Sequence, residues 1–398
     1  LKLAILTQYF YPETGAPQNR LYELSKIFER LGWEIKVITA MPNYPKGKIF
    51  PGYRMKFSVN EKEDGINVSR YILYASNSAN KIPRIISMLS FSLTSLFGYF
   101  RLRKFRPDFI FTESPPLTLA YSGYLLSKFT GSKNIMNVSD IWPLSAKELG
   151  AISDGVLYKK LVSLEKFLYS KAFLCTGQSE EIVRHMKMSG ADKTYLFRNG
   201  VDINRFKNSA EYNSDEAGGK IKIVYTGLLG VAQGIYGIVS NINFKELGAE
   251  FHIYGEGAER KITEEYLKAN PDNGIILHDS VKSSEIPVIL QKYYCAIIPL
   301  VNNIFGAVPS KIYEAMAAGL PVLFSGTGEG AAIINDNRAG LVSPPKDYLK
   351  LKENILIIKN SQKMRNEMSE NCRAAAAEKF DRNALIKNFS DKLISYLK

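Results

Sequence analysis

Pro309-Ser310-Lys311-Ile312-Tyr313-Glu314 sets a cation and a carboxylate three residues apart, just after the apolar run Ala296 to Leu300 and a loop of small residues ending at Pro309. In a helix that opens at Ser310, Lys311 and Glu314 share one face. The first-turn amides of such a helix have no partner within it, and together with the helix dipole they favour an anion. These residue types fit a nucleotide diphosphate. The competing explanation is an ordinary surface Lys-Glu pair on a strand–loop–helix unit.

Short apolar runs alternate with helical segments along the chain, which predicts an α/β protein whose parallel sheets are covered on both faces. Predicted strands of a first series are Lys2 to Thr7, Glu34 to Thr39, Asn67 to Tyr74, Phe109 to Thr112, Asn134 to Val138, Phe173 to Thr176 and Thr194 to Phe197. A second series begins at Ile221 to Tyr225 and runs through Glu250 to Tyr254, Gly274 to Leu277, Cys295 to Pro299, Pro321 to Phe324 and Gly340 to Ser343. Asn199-Gly200 and the polar stretch Lys207 to Lys220 separate the two, and Asn383 to Leu397 reads as a final helix. The predicted organisation is therefore residues 1–200, 201–380 and a C-terminal helix in 381–398.

With 398 residues, 45% hydrophobic and 23% charged, the chain has room for two ordinary globular cores. Its net charge of +13 is uneven: residues 1–200 carry 28 Lys+Arg against 16 Asp+Glu, whereas residues 201–398 carry 24 against 23. A basic first half calls for an acidic partner, and without a zinc-finger, RNP or helix-turn-helix signature nucleic acid is not that partner. Cys175, Cys295 and Cys372 form no CxxC pair, and three widely spaced histidines give no ligand set, so no metal site is expected. Ile82 to Arg106 repeats Ile, Leu and Phe at helical spacing and ends in Arg101-Leu102-Arg103-Lys104-Phe105-Arg106. Its uncharged part, Ile85 to Phe100, reads as too short and too rich in Ser and Thr to span a bilayer. Two explanations stay open: a core helix with charges at its C-terminus, or an amphipathic helix on an anionic membrane surface.

Tyr225-Thr226-Gly227-Leu228-Leu229-Gly230-Val231-Ala232-Gln233-Gly234 is a second strand–loop–helix unit whose glycines let a phosphate approach the backbone. Taken with Pro309 to Glu314, with Tyr254-Gly255-Glu256-Gly257 and with His278-Asp279-Ser280-Val281, it resembles the donor half of retaining family 4 glycosyltransferases of the GT-B fold. The resemblance implies two Rossmann-like domains with parallel sheets facing a cleft, and a last helix that crosses back to the first domain. Glu314 matches the ribose-binding glutamate of that family, while Gly306 stands where its first glutamate would be. Leu228 and Gln233 stand where relatives supply an arginine and a lysine to the diphosphate, so Lys311 and the amides around Pro309 to Lys311 are expected to take that role. Gly227, Gly230, Gly255, Gly257, Ser280 and Val281 would line the nucleotide site, and Gly15, in the loop Gln8 to Pro17, matches the glycine that faces the donor. In Ser139-Asp140-Ile141-Trp142-Pro143, Asp140 is the candidate for activating the acceptor or binding the transferred sugar, with a helix N-cap as the plainer role.

The missing first glutamate and the Pro-Ser-Lys-x-x-Glu run bring the resemblance nearer to the subgroup that includes bacterial N-acetyl-L-fucosamine transferases of surface polysaccharide assembly. It implies a UDP-sugar donor carrying an N-acetylated deoxyamino sugar, a polyprenyl-diphosphate-linked saccharide acceptor in capsule or O-antigen synthesis, and retention at the anomeric carbon. No cofactor or metal is expected, since Lys311 and the loop dipoles supply the electrostatics and no Asp-x-Asp run occurs. The expected location is cytoplasmic, peripheral to the inner face of the membrane. A UDP-sugar 2-epimerase of the same fold and a noncatalytic scaffold binding membranes or polysaccharide are the rivals.

Overall fold

The computed structural model describes residues 1–78, 80–148, 152–207, 220–302 and 305–397, so most of the stretch Lys207 to Lys220 lies outside the described residues. The chain divides into two compact units, Leu1–Arg198 with Ile386–Lys398, and Asn199–Leu385. Each is a twisted sheet wrapped by helices on both faces, in keeping with the two Rossmann-like domains that the resemblance implies.

The first unit holds β1 (Lys2–Leu6), β2 (Glu34–Ala40), β3 (Ser58–Glu63), β4 (Ile66–Tyr71), β5 (Phe109–Ser114), β6 (Lys133–Val138), β7 (Leu174–Gly177) and β8 (Thr194–Leu196). Their order is β3-β4-β2-β1-β5-β6-β7-β8, with Ile5 opposite Val37 on one side and Phe111 on the other. All neighbours are parallel except β3, which runs antiparallel to β4 at the edge. The sequence gives no apolar run for β3: its Ser-Val-Asn-Glu-Lys-Glu alternates partly buried and exposed positions and is held by backbone pairing. The central strands are buried on both faces, which is why they read as continuous apolar runs.

The second unit holds β9 (Ile221–Thr226), β10 (Ala249–Tyr254), β11 (Ile275–His278), β12 (Cys295–Pro299), β13 (Val322–Ser325) and β14 (Gly340–Ser343), ordered β11-β10-β9-β12-β13-β14 and all parallel. That is the Rossmann order 3-2-1-4-5-6. In each unit the order reverses beside the first strand, between β1 and β5 and between β9 and β12. Chain connections leave those two strands in opposite directions, so a crevice opens at their carboxyl ends, where open α/β sheets bind ligands.

The last helix, Arg382–Ser395, completes the core of the first unit. Phe389 is fully buried there, stacks on Phe197 with ring centroids 4.4 Å apart, and meets Phe28 and Phe111 edge-on. Trp33 Nε1 donates to Ser390 Oγ at 2.8 Å, so this helix is fixed by a hydrogen bond as well as by packing.

Ile82 to Arg106 is helical almost without interruption: Lys81–Ser95, a 3₁₀ turn at Leu96–Gly98, then Tyr99–Phe105. Asn80 caps it through Oδ1, which accepts from the Ile82 amide at 3.1 Å, and left-handed Arg106 (φ 55°) ends it before Pro107. Ile82–Phe105, which extends beyond the uncharged run Ile85 to Phe100 at both ends, is long and apolar enough to cross a membrane by length and composition alone.

Candidate functional site

In the second unit the loops after β9 and β12 flank the reversal of strand order, and they bring Gly227, Lys311 and Glu314 together. Gly227 has φ +146°, and a Cβ built on it would fall 2.0 Å from Lys311 Cε and 2.5 Å from Nζ. A glycine is what lets the lysine lie across this loop. Lys311 Nζ is 5.9 Å from the Tyr225 ring centroid, and Tyr225 donates its hydroxyl proton to Leu228 O at 2.6 Å, fixing the turn beneath it.

Helix Ser310–Ala317 starts after Pro309 with no side-chain cap, so the amides of its first turn are unclaimed by side chains. Lys311 and Glu314 are half-buried on this helix and line, with Tyr225, Thr226, Ile298 and Ala315, a cavity of about 10 Å³, room for one water at most. Burial lowers the pKa of Lys311, against the pull of Glu314. Burial likewise raises that of Glu314, against the fields of Lys311 and Arg205. Among the described residues no ion pair joins the two, although each feels the field of the other. A cation and a carboxylate kept partly desolvated beside Gly227, with no ion pair between them among the described residues, suit a ligand that carries both anionic and hydroxyl groups.

The glycines of the neighbouring loop have a structural task. Cβ atoms at Gly255 and Gly257 would fall 1.8 Å from Gly227 O and 2.4 Å from Leu229 O. The two loops run backbone against backbone, joined by Gly227 N to Tyr254 O and Leu229 N to Glu256 O, both 2.8 Å. Gly255 and Gly257 thus shape the crevice by admitting the Gly227 loop. Gly230 packs against Gln233, whose Oε1 is buried and has no hydrogen-bond partner among the described residues. Leu228 is 60% exposed. Ser280 is exposed and Val281 half-buried.

Arg260, which sequence reasoning missed, braces this region. Its guanidinium donates to Gly255 O at 2.7 Å, His278 O at 2.9 Å and Asp279 Oδ1 at 3.0 Å, tying together the loops after β10 and β11. Arg205 donates to Ser283 O and, at 3.3 Å, to Ser283 Oγ, which fixes the segment beyond Val281.

In the first unit Gly15 precedes helix Ala16–Arg30 in extended backbone, and the place of its missing Cβ is filled by the Gln18 carboxamide at 2.3 Å. Asp140 follows β6. Its Oδ2 accepts from Ser145 Oγ at 3.0 Å, and burial raises its pKa against that hydrogen bond and one from the Ile141 amide. Beside it lies a buried polar network that the sequence did not reveal. Arg20 pairs with Glu113 Oε1 and donates to Ser139 Oγ at 2.9 Å, Ser139 donates to the same carboxylate oxygen, and Asn137 Nδ2 donates to Glu113 Oε2 at 2.8 Å. Thr176 donates to Asn137 Oδ1 at 2.7 Å. This network crosses the ends of β5, β6 and β7 and holds Ser139, hence Asp140, at the carboxyl edge of the sheet. Among the described residues no group of three or more His, Cys, Asp and Glu side chains is arranged to hold a metal ion.

Residues 209–375 match the family described as "Glycosyl transferases group 1". The putative colanic acid biosynthesis glycosyl transferase WcaI of Escherichia coli (strain K12) is 22% identical over 334 residues, 80% of this chain and 82% of that protein. Among solved structures, sucrose-phosphate synthase (tll1590) from Thermosynechococcus elongatus superimposes with a TM-score of 0.74 at 16% identity over 100% of this chain and 99% of the other. Anabaena Alr3699/HepE in complex with UDP and glucose gives 0.70 at 14% identity over 99% of each. The chain has the GT-B fold and is related to the group 1 glycosyl transferases through its second unit.

Proposed function

We propose that this protein is a retaining glycosyltransferase that moves a sugar from a UDP-sugar to a lipid-linked saccharide during surface polysaccharide synthesis. The observation that carries the reading is that Lys311 and Glu314, both partly desolvated, sit on one helix face beside Gly227 with no ion pair between them among the described residues. Glu314 accepts hydrogen bonds from the ribose hydroxyls, while Lys311 and the amides of Ser310 and Lys311 meet the diphosphate. Negative charge grows on that leaving group as the glycosidic bond breaks, and a positive group already aimed at it stabilises the transition state more than the ground state. UDP is supported by the relation to group 1 glycosyl transferases and by the UDP of the HepE complex. The colanic acid relative supports surface polysaccharide as the context.

Asp140, held by Ser145 and next to the Arg20–Glu113–Ser139 network, orients the acceptor hydroxyl or takes its proton as the new bond forms. For the donor sugar we retain the N-acetylated deoxyamino class, with N-acetyl-L-fucosamine first among candidates. Thermal shift of the purified chain with UDP, GDP, ADP and phosphate tests the donor site, because a ligand selective for the folded state raises the apparent Tm. Stabilisation by UDP that Glu314→Gln removes is the expected result. No shift with any nucleotide overturns the reading, and turnover of a UDP-sugar without an acceptor turns it towards an epimerase.

A further inference from the structure

We propose that the outer face of helix Ile82–Phe105 is a docking surface for an anionic lipid bilayer, continuous with the loops that follow β1 and β2. The helix is built inside out for a soluble protein. On the side that packs into the first unit, Ser87, Phe91, Ser95, Gly98 and Leu102 follow one another at three- to five-residue intervals and all are buried. Small and polar residues dominate this side, which accommodates close approach: a Cβ at Gly98 would lie 3.1 Å from Ile38. Ser92 Oγ donates to Thr118 Oγ1 at 2.8 Å, and Ser122 Oγ donates to Ser92 O at 2.7 Å. The outer side carries the large apolar groups instead. Ile82, Ile85, Leu89, Leu93, Phe97 and Phe100 are each between 43% and 68% exposed. Core packing accounts for the serines and leaves most of this apolar strip uncovered among the described residues, Phe97 meeting the ring of Phe57 edge-on at 5.1 Å.

Charge selects the occupant. No Asp or Glu occurs between Asp64 and Asp108, and Arg84, Arg101, Arg103, Lys104 and Arg106 are all exposed. An apolar strip between cations, with no acidic residue, matches a surface that offers acyl chains below and phosphates above. Because the serine side is fastened into the fold, the helix lies in the interface instead of spanning it. Its first turn brings Arg84 near Tyr9, and Asn77 Nδ2, just before it, donates to Pro45 O at 2.6 Å, so the strip begins at the loops after β1 and β2. A lipid-anchored acceptor would reach those loops along the bilayer surface, and only this last step rests on the function proposed above.

Co-sedimentation of the full chain with vesicles tests the surface. We expect binding to equimolar phosphatidylcholine and phosphatidylglycerol at low salt and weak binding to phosphatidylcholine alone. Arg101→Gln/Arg103→Gln/Lys104→Gln should weaken binding by about 100-fold, roughly fivefold for each charge lost near the membrane. Ile85→Gln/Leu89→Gln/Leu93→Gln should lose the binding that persists at high salt, where charge is screened. All six positions are exposed, and an unchanged UDP-induced Tm shift in each variant reports an intact donor unit. Wild-type protein left in the supernatant, equal binding to neutral vesicles, or variants that bind like wild type would each overturn the proposal, as would self-association in sedimentation velocity lost in the apolar variant without any vesicle binding. Vesicle binding without a UDP shift would sustain this surface while removing the donor reading, so the two fail separately.

Discussion

Replacing Lys311 with methionine separates a lysine kept for a ligand from one kept for the fold. Methionine nearly preserves length and apolar contact but removes the charge. In the free protein that charge is partly desolvated and lacks an ion pair among the described residues, and burial depresses its pKa. A lysine with a lowered folded pKa weakens folding below that pKa, and the penalty fades as pH rises through it towards the unfolded value. At neutral pH Lys311→Met should therefore hold Tm at or above wild type. Donor binding should move the other way. A charge-assisted contact to diphosphate is worth about 2–3 kcal/mol, so UDP affinity should fall by about 30- to 160-fold. The diphosphate binds the protonated amine, so wild-type affinity should decline as pH rises through the lowered pKa of Lys311, a limb the variant lacks. Titration calorimetry with UDP across alkaline pH, paired with thermal melts, gives both numbers. UDP affinity within about twofold of wild type, or a fall in Tm of several degrees, would refute the assignment.

Asp140→Asn should lower kcat/KM by about 10²- to 10⁴-fold if the carboxylate handles the acceptor proton, with UDP affinity unchanged. Since burial raises its pKa, wild-type activity should be lost, as pH falls, at a higher pH than an ordinary aspartate would give; kcat/KM within a factor of two of wild type in Asp140→Asn would dismiss that role. Phe389→Ala should cost about 3–5 kcal/mol in urea unfolding of the first unit, and Phe389→Leu much less, because the ring fills a site among Phe28, Phe111 and Phe197. A loss under about 1 kcal/mol would mean the last helix is dispensable to that core.

Among the described residues, thirteen of the fourteen strands are legible in the sequence because each is a short apolar run, in most cases buried in a parallel sheet. The edge strand Ser58–Glu63 was hidden because an exposed strand held by backbone pairing has no apolar signature. Lys311, Glu314 and Gly227 could be proposed as one site because a helix turn and a strand-end glycine fix them locally. Arg20 and Glu113 could not be paired from the sequence: they are 93 residues apart, and Glu113 looks like the polar end of an ordinary strand. Arg260 was hidden for a similar reason, since its acceptors are mostly backbone carbonyls, which leave no mark on side-chain spacing. In Ile82 to Phe105 the periodicity was visible, but the inward side was not, because the usual rule assigns the larger apolar groups to the core. The serines at 87, 92 and 95 were the available signal.

The burial of Phe389 and Leu393 in the first unit also bears on how the protein is made. The ribosome releases the chain in order, so residues 1–198 emerge with a groove where those side chains belong and must wait through the synthesis of the whole second unit. The first half is therefore synthesised first and finished last. During that interval Phe28, Trp33, Phe111 and Phe197 lack their final neighbour, and chaperones or premature association with other chains have their opening there.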